Sequence, residues 1–322
     1  MVDNRLGFGL LGFPDIRAMA QLGGAAESAG FDSMWIAETR ITRDAVTGMT
    51  AVLLSTQRMR VGSAAVNPFT RGAGVTAVTW ATLAEAAPGR VVLGIGPGSP
   101  APLRQQGYGF EAPLERLCEF VEAVRSAWTD EAPIDFDGRH VRFEALLPEV
   151  VPNGPPPIYL CVTGPVALGH AGRLADGVVL NAFMPPAYVQ RARALLDDGA
   201  GGNFRGEIAG ALVTAIADSS AEAAARLRPI LATYLVHFPN LAKETGLDPE
   251  FLEDLRTVAA RDGLEAALPL LSDGTVRQHA LCGTPADCKE RIDAYRAAGL
   301  ELPVLFPDPD SVHAVIDMVS TA

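Results

Sequence analysis

Two short runs in this chain combine glycine, proline and a hydroxyl: Gly96-Pro97-Gly98-Ser99 and Thr163-Gly164-Pro165. Each follows an apolar, β-branched stretch and leads toward a helix. Backbone amides at a helix N-terminus, joined by Ser or Thr hydroxyls, cradle phosphate. Ordinary glycine-rich turns have the same composition, and spacing alone does not separate the two readings. Around these runs the acids and bases are few. Glu38 and Asp308 are the carboxylates that end strand-like stretches, a thin basis for the paired carboxylates of a glycosidase. Thr39, Asn67 and Asn181 end other such stretches. They offer hydrogen bonds, not proton transfer at neutral pH. The five histidines form no HExxH or HxH cluster, and there is no GxSxG elbow. Cys118, Cys161, Cys282 and Cys288 lack metal spacing and read as buried free thiols. An inventory this poor in acid and base suits a bound cofactor that carries the chemistry.

The elements that must position these residues alternate. Strands are expected at Leu6–Leu11, Ser33–Ala37, Arg60–Ala65, Arg90–Ile95, Pro157–Cys161, Gly177–Asn181, Ile208–Ala217 and Leu302–Phe306. Amphipathic helices are expected between them, at about 15–29, 43–56, 74–86, 113–128, 165–174, 186–198, 220–236 and 285–298. The last opens on Thr284-Pro285, an N-cap followed by a first-turn proline, and stops at Gly299. Eight strand–helix units in a chain of this length predict a (β/α)8 TIM barrel, with the active site at the C-terminal strand ends. A doubly wound sheet is the rival. The nearest dinucleotide fingerprint, Gly94-Ile95-Gly96-Pro97-Gly98-Ser99, has serine where the last glycine belongs.

Two stretches exceed the repeating unit. Residues 130–156 include Ile134–Glu144, which alternates around Asp137-Gly138 as a hairpin would. Residues 237–280 read as extra helix and loop, placed where they could cover the barrel mouth, contact a second subunit or simply lie on the surface. With no low-complexity linker, residues 1–322 are expected to form one domain.

The chain has 322 residues, 26 of them Lys or Arg and 38 Asp or Glu, a net charge of −12 that disfavours nucleic acid and anionic membrane as partners. A composition 48% hydrophobic and 20% charged excludes a disordered chain. No apolar run approaches the roughly 18 residues of a membrane helix. The N-terminal stretch does not read as a secretory leader. The expectation is a cytoplasmic protein.

The run Arg60–Ser99, with GSAAVNPFTR at Gly62–Arg71, ATLAEAAPGR at Ala81–Arg90 and LGIGPGS at Leu93–Ser99, resembles the luciferase-like superfamily. It is most similar to the branch that uses the deazaflavin coenzyme F420, typified by methylenetetrahydromethanopterin reductases. Leu160–Asn181 and Cys282–Leu300 resemble later units of the same family. The resemblance implies a TIM barrel with insertions, usually a homodimer, that moves hydride between F420 and a small organic substrate, such as an imine or alkene. It also implies where the cofactor sits. The phosphate end meets Gly96, Pro97, Gly98, Ser99, Thr163, Gly164 and Pro165, and Asn67 and Asn181 also touch the cofactor. The ring lies over strand three, where the bond joining Ala64 and Ala65 is expected to be cis. Related branches use FMN and are monooxygenases, and a catalytically silent flavin or deazaflavin binder is a third reading. The family's Asp-His pair after strand two is here Glu38-Thr39, and an acid common after strand four is here Ser99. The catalytic candidates are therefore Glu38, Thr39 and Asn67. Glu38 also suits a structural pairing with Arg40, Arg43 or Arg71.

Overall fold

A computed structural model describes residues 4–11, 14–38, 42–129 and 133–320. Eleven strands occur among them: β1 (Gly7–Leu10), β2 (Ser33–Ile36), β3 (Arg60–Ser63), β4 (Val91–Ile95), β5 (Ile134–Asp137), β6 (Arg142–Leu146), β7 (Ile158–Leu160), β8 (Gly177–Leu180), β9 (Glu207–Ile216), β10 (Leu281–Gly283) and β11 (Leu302–Pro307). Strands β1, β2, β3, β4, β7, β8, β9 and β11 pair in that order, all parallel, and β11 returns to β1. The sheet is a closed (β/α)8 barrel, as expected from the alternation.

Its interior is filled by facing large and small residues. Trp35, Val92, Tyr159, Val179, Ala209, Leu302, Val304 and Phe306 form one buried cluster. Glycines make room for its rings. A Cβ on Gly9 would lie 2.4 Å from the Phe306 ring, one on Gly62 2.8 Å from Trp35, and one on Gly177 2.5 Å from Tyr159. Alternate residues such as Phe8, Met34, Ile36, Leu93, Ile95, Leu160, Val178 and Leu180 point outward and pack beneath the helices.

The helices start where side chains can cap them. Asp15, Asp44, Ser219 and Thr284 each accept an amide hydrogen bond from the first turn that follows. Gly299 adopts φ 101°, which suits its expected place after the last barrel helix. The helices Pro100–Gln105 and Val312–Ser320, and strand β10, are additions to the expected pattern.

Both expected excursions carry structure of their own. β5 and β6 form an antiparallel hairpin. Its tight turn is centred not on Asp137-Gly138 but on Arg139-His140, where the Gly138 amide donates to the Val141 carbonyl at 3.0 Å. The Glu119 carboxylate accepts from the amides of His140 and Val141 and fixes that turn. The later excursion contains the helices Pro239–Ala242, Pro249–Asp262, Leu264–Ala267 and Asp273–His279. Leu252, Leu255, Leu271 and Val276 pack them on Leu227, Leu231 and Leu235 of the helix Ser220–His237. The block then delivers β10 to the upper end of β9.

Candidate active site

At the C-terminal end of the barrel the inward positions become small. Ala37, Ala64, Cys161 and Ala211 border the interior cluster there. On β4, two and four residues beyond the inward Val92, stand Gly94 and Gly96. Neither tolerates a side chain. A Cβ on Gly94 would lie 1.7 Å from the Ser63 carbonyl oxygen, and one on Gly96 3.0 Å from that of Cys161. Strand three runs directly across these glycines. The Ser63 hydroxyl donates to the Gly94 carbonyl (2.7 Å) and accepts the Gly94 amide (3.0 Å). The Val66 amide donates to the Gly94 carbonyl, and the Gly96 amide to the Val66 carbonyl. Between them the Ala64–Ala65 bond is cis, as expected. The result is a floor made of backbone and methyl groups.

The two glycine-rich runs adjoin this floor. Gly98 has φ 76°, a left-handed conformation that glycine adopts without penalty, and its α-carbon backs onto Asn67 and Leu103. The Asn67 carbonyl oxygen accepts from the amides of Phe69 and Thr70, so this side chain closes the turn after strand three. Ser99 precedes the helix Pro100–Gln105, and Gly164 precedes the helix Pro165–Leu174. Neither helix start has a capping side-chain hydrogen bond. Space around the Gly164 α-carbon is open. Thr163 is buried, and its carbonyl accepts the Tyr188 hydroxyl at 2.5 Å. Burial pushes the Tyr188 hydroxyl well above its ordinary pKa, so it stays a donor.

Both strand-end carboxylates are occupied. Glu38 follows the inward Ala37 and so faces outward, toward the helix Ala45–Ser55. It accepts the Ala45 amide at 3.1 Å and two hydrogen bonds from Arg71, at 3.2 and 2.7 Å. Arg71 also reaches Asp44 at 2.5 Å. Burial opposes the Arg71 charge, but the carboxylates of Glu38 and Asp44 outweigh it and raise its pKa. Asp308 receives Arg226 at 2.8 and 2.6 Å and caps the amide of Ser311. Of the partners weighed for Glu38, Arg71 is found and Arg40 lies outside the described residues, as does the catalytic candidate Thr39. No cluster of His, Cys, Asp and Glu suits a metal ion, and no helix is long and apolar enough to cross a membrane, among the described residues.

The structure thus brings Ala65 against Gly96 and Asn67 against Gly98, beside the cis bond to Ala64, while Glu38 is turned to the helix Ala45–Ser55. Asn181 lies across the mouth, and its carbonyl oxygen accepts the Ala182 amide (2.8 Å) and the Tyr234 hydroxyl (2.7 Å). The sequence reading missed Tyr234. Its ring is wedged between Phe183 and Phe238, each with centroids 5.0 Å away. Phe69 was read only as part of a strand end. It packs against Phe110 at 5.6 Å under the Arg116 guanidinium at 4.8 Å. These partners come from distant segments, so no local spacing marks them.

Residues 3–302 match the luciferase-like monooxygenase family. The chain is 29% identical over 276 residues to the 5,10-methylenetetrahydromethanopterin reductase of Methanolobus tindarius, covering 83% of each protein. It is 33% identical over 177 residues to the F420-dependent glucose-6-phosphate dehydrogenase of Mycobacterium avium, covering 51% of this chain and 52% of that one. Among solved structures, the coenzyme F420 dependent tetrahydromethanopterin reductase of Methanopyrus kandleri superposes with a TM-score of 0.86 at 23% identity, over 98% of this chain and 97% of that one. The closed barrel, its insertions and the match along nearly the whole chain make this protein a member of the luciferase-like monooxygenase family.

Proposed function

We propose that the chain is an F420-dependent oxidoreductase that moves a hydride between the coenzyme and a small organic substrate, reducing an imine or an activated alkene. The observation that carries this reading is the side-chain-free floor of Ala64, Ala65, Gly94 and Gly96, joined to two uncapped helix starts. Such a floor fits a flat ring, and the Ser99 hydroxyl with the first-turn amides of Ala101, Val166 and Ala167 fits its phosphate, Pro100, Pro102 and Pro165 having no N–H to offer. The name of the similar F420-dependent glucose-6-phosphate dehydrogenase points to F420 as that ring. Bound F420 supplies hydride chemistry at a ring carbon, which no side chain at this mouth can supply. The chain's own part is positional. The floor keeps water from one face of the ring and leaves the other to substrate. Gly98, Ser99, Thr163, Gly164 and Pro165 hold the phosphate end, and Asn67 fixes the turn beneath it. Glu38 holds Arg71, so the proton that balances the hydride comes through water or from the substrate.

Titration of the apo-protein with F420 and with FMN tests the reading. F420 should bind at least tenfold more tightly, a difference of about 1.4 kcal/mol. Tight binding of FMN with no measurable affinity for F420 would replace this reading with the oxygenase chemistry after which the family is named.

A further inference from the structure

Asn181 is the inward polar side chain that tops β8. Val179 belongs to the interior cluster, and Asn181, two residues on, shares its face. Its amide has two ends of opposite character, an acceptor oxygen and a donor nitrogen. Here the oxygen is committed twice, to the Ala182 amide at 2.8 Å and to the Tyr234 hydroxyl at 2.7 Å. A flipped amide would set its NH2 group against the Ala182 N–H, a donor that cannot turn away. The network therefore fixes the orientation. The Asn181 Nδ2 group donates to no protein acceptor among the described residues.

Tyr234 is well built to hold this state. It lies on the helix Ser220–His237, which anchors the later excursion. Phe183 and Phe238 pin its ring on two sides. Burial pushes its hydroxyl pKa up to about 12, so it remains a donor throughout the physiological range.

We infer that Tyr234 is a positioning residue that locks Asn181 as a hydrogen-bond donor at the barrel mouth, and that Asn181 Nδ2 recognises a carbonyl oxygen on the edge of the bound ring. This rests on the proposed function for the presence of a ring, and it adds which edge the chain reads and what sets the reader's polarity. Flavins and deazaflavins both carry a dione edge, so the recognition applies to either. The helix on which the excursion packs thereby enters the site through one hydroxyl group.

The test uses the apo-protein titrated with F420 and with FMN, together with its melting temperature. Tyr234→Phe keeps the ring between its aromatic neighbours and removes only the hydroxyl. It should weaken ring binding about fivefold, because the Ala182 amide alone then holds Asn181. Asn181→Asp keeps an oxygen for Ala182 and Tyr234 but presents an acceptor to the ligand. It should weaken binding at least thirtyfold with the apo melting temperature held within a few degrees. In an Asn181→Ala background, Tyr234→Phe should cause no further loss, since its effect passes through Asn181. Unchanged affinity in Tyr234→Phe, or equal losses in the presence and absence of Asn181, would overturn the inference while leaving the proposed function standing. A wild-type protein that binds neither ring would remove both.

Discussion

Arg71 grips Glu38 through Nε and Nη2 while the same Nη2 also meets Asp44, so the first strand-end carboxylate of the mouth is held by a guanidinium that is itself shared. Glu38→Gln should accordingly keep ring affinity within about threefold and the single-turnover rate within about tenfold. The melting temperature should fall, because exchanging a charged partner of part-buried Arg71 costs about 1–2 kcal/mol. A thousandfold loss of rate with affinity intact, about 4 kcal/mol in the barrier, would make Glu38 the proton-transfer group instead.

The phosphate runs permit a paired test. Gly164→Ala adds a methyl group in open space, so apo stability should change by no more than about 1 kcal/mol. Any larger loss of ring affinity then reports the ligand. Gly98→Val acts on both quantities, since a β-branched residue at φ 76° is strained and Leu103 lies 3.1 Å from the new Cβ. It should lower the melting temperature and weaken binding more than tenfold. Isothermal titration beside thermal melts separates the effects, and intact binding in both variants would remove the loop assignment.

At the opposite end of the barrel, Glu207 receives Arg5 at 2.5 Å, Arg60 at 3.2 Å and the Tyr159 hydroxyl at 2.8 Å. Asp32 accepts from the same Arg60 Nη2 at 2.7 Å and from its Nε at 3.0 Å. This is the face of a TIM barrel where polar clusters serve stability and not chemistry. Glu207→Ala leaves part-buried charge uncompensated and should cost about 3 kcal/mol of stability. Chemical denaturation should show that loss while F420 affinity, measured on the still-folded variant, stays within twofold.

The acid limb of stability has an identifiable contributor in Glu27. Burial raises its carboxyl pKa, but the amides of Arg58, Gln57 and Met59 outweigh this and hold it below the ordinary value. A depressed folded-state pKa gives stability that is present above the unfolded carboxylate range and lost as pH falls through the folded pKa. Glu27→Gln should therefore cost about 1 kcal/mol near neutrality, a modest figure for a partly exposed group. The gap between wild type and variant should close as pH drops below the folded pKa. Urea titrations at several pH values will show the convergence, and a constant gap would contradict it.

Much of the frame was legible because its signals are local. All eight barrel strands are apolar runs that a pleated, doubly covered strand requires. Asp15, Asp44, Ser219 and Thr284 mark helix starts through their own side chains. Even the outward turn of Glu38 follows from the alternation of Trp35, Ile36 and Ala37. The brief β10 was missed because three residues show no period. The pairings that set the polarity of the site were hidden for another reason. Tyr234 meets Asn181 across 53 residues, and Arg226 meets Asp308 across 82. Only the closed barrel brings such partners together, and neither composition nor spacing encodes the meeting. The cis bond at Ala64–Ala65 was anticipated through family resemblance and not through any property of two alanines.

Strand β9 divides its labour along its length. Its lower residues, Glu207 to Gly210, pair with β8 and close the ring, while Thr214 to Ile216 pair with β10. Ile216 stands six residues past Gly210, roughly 20 Å at about 3.3 Å per residue. The rim is therefore a crescent parapet, raised on the side of β9 and β10 and low elsewhere. The parapet joins the upper part of β9 to β10, which the later excursion delivers, whereas closure depends on the strand segment beneath it. Insertions and deletions in that excursion can reshape the parapet without opening the ring, so the protein can change what it admits while keeping what holds it shut.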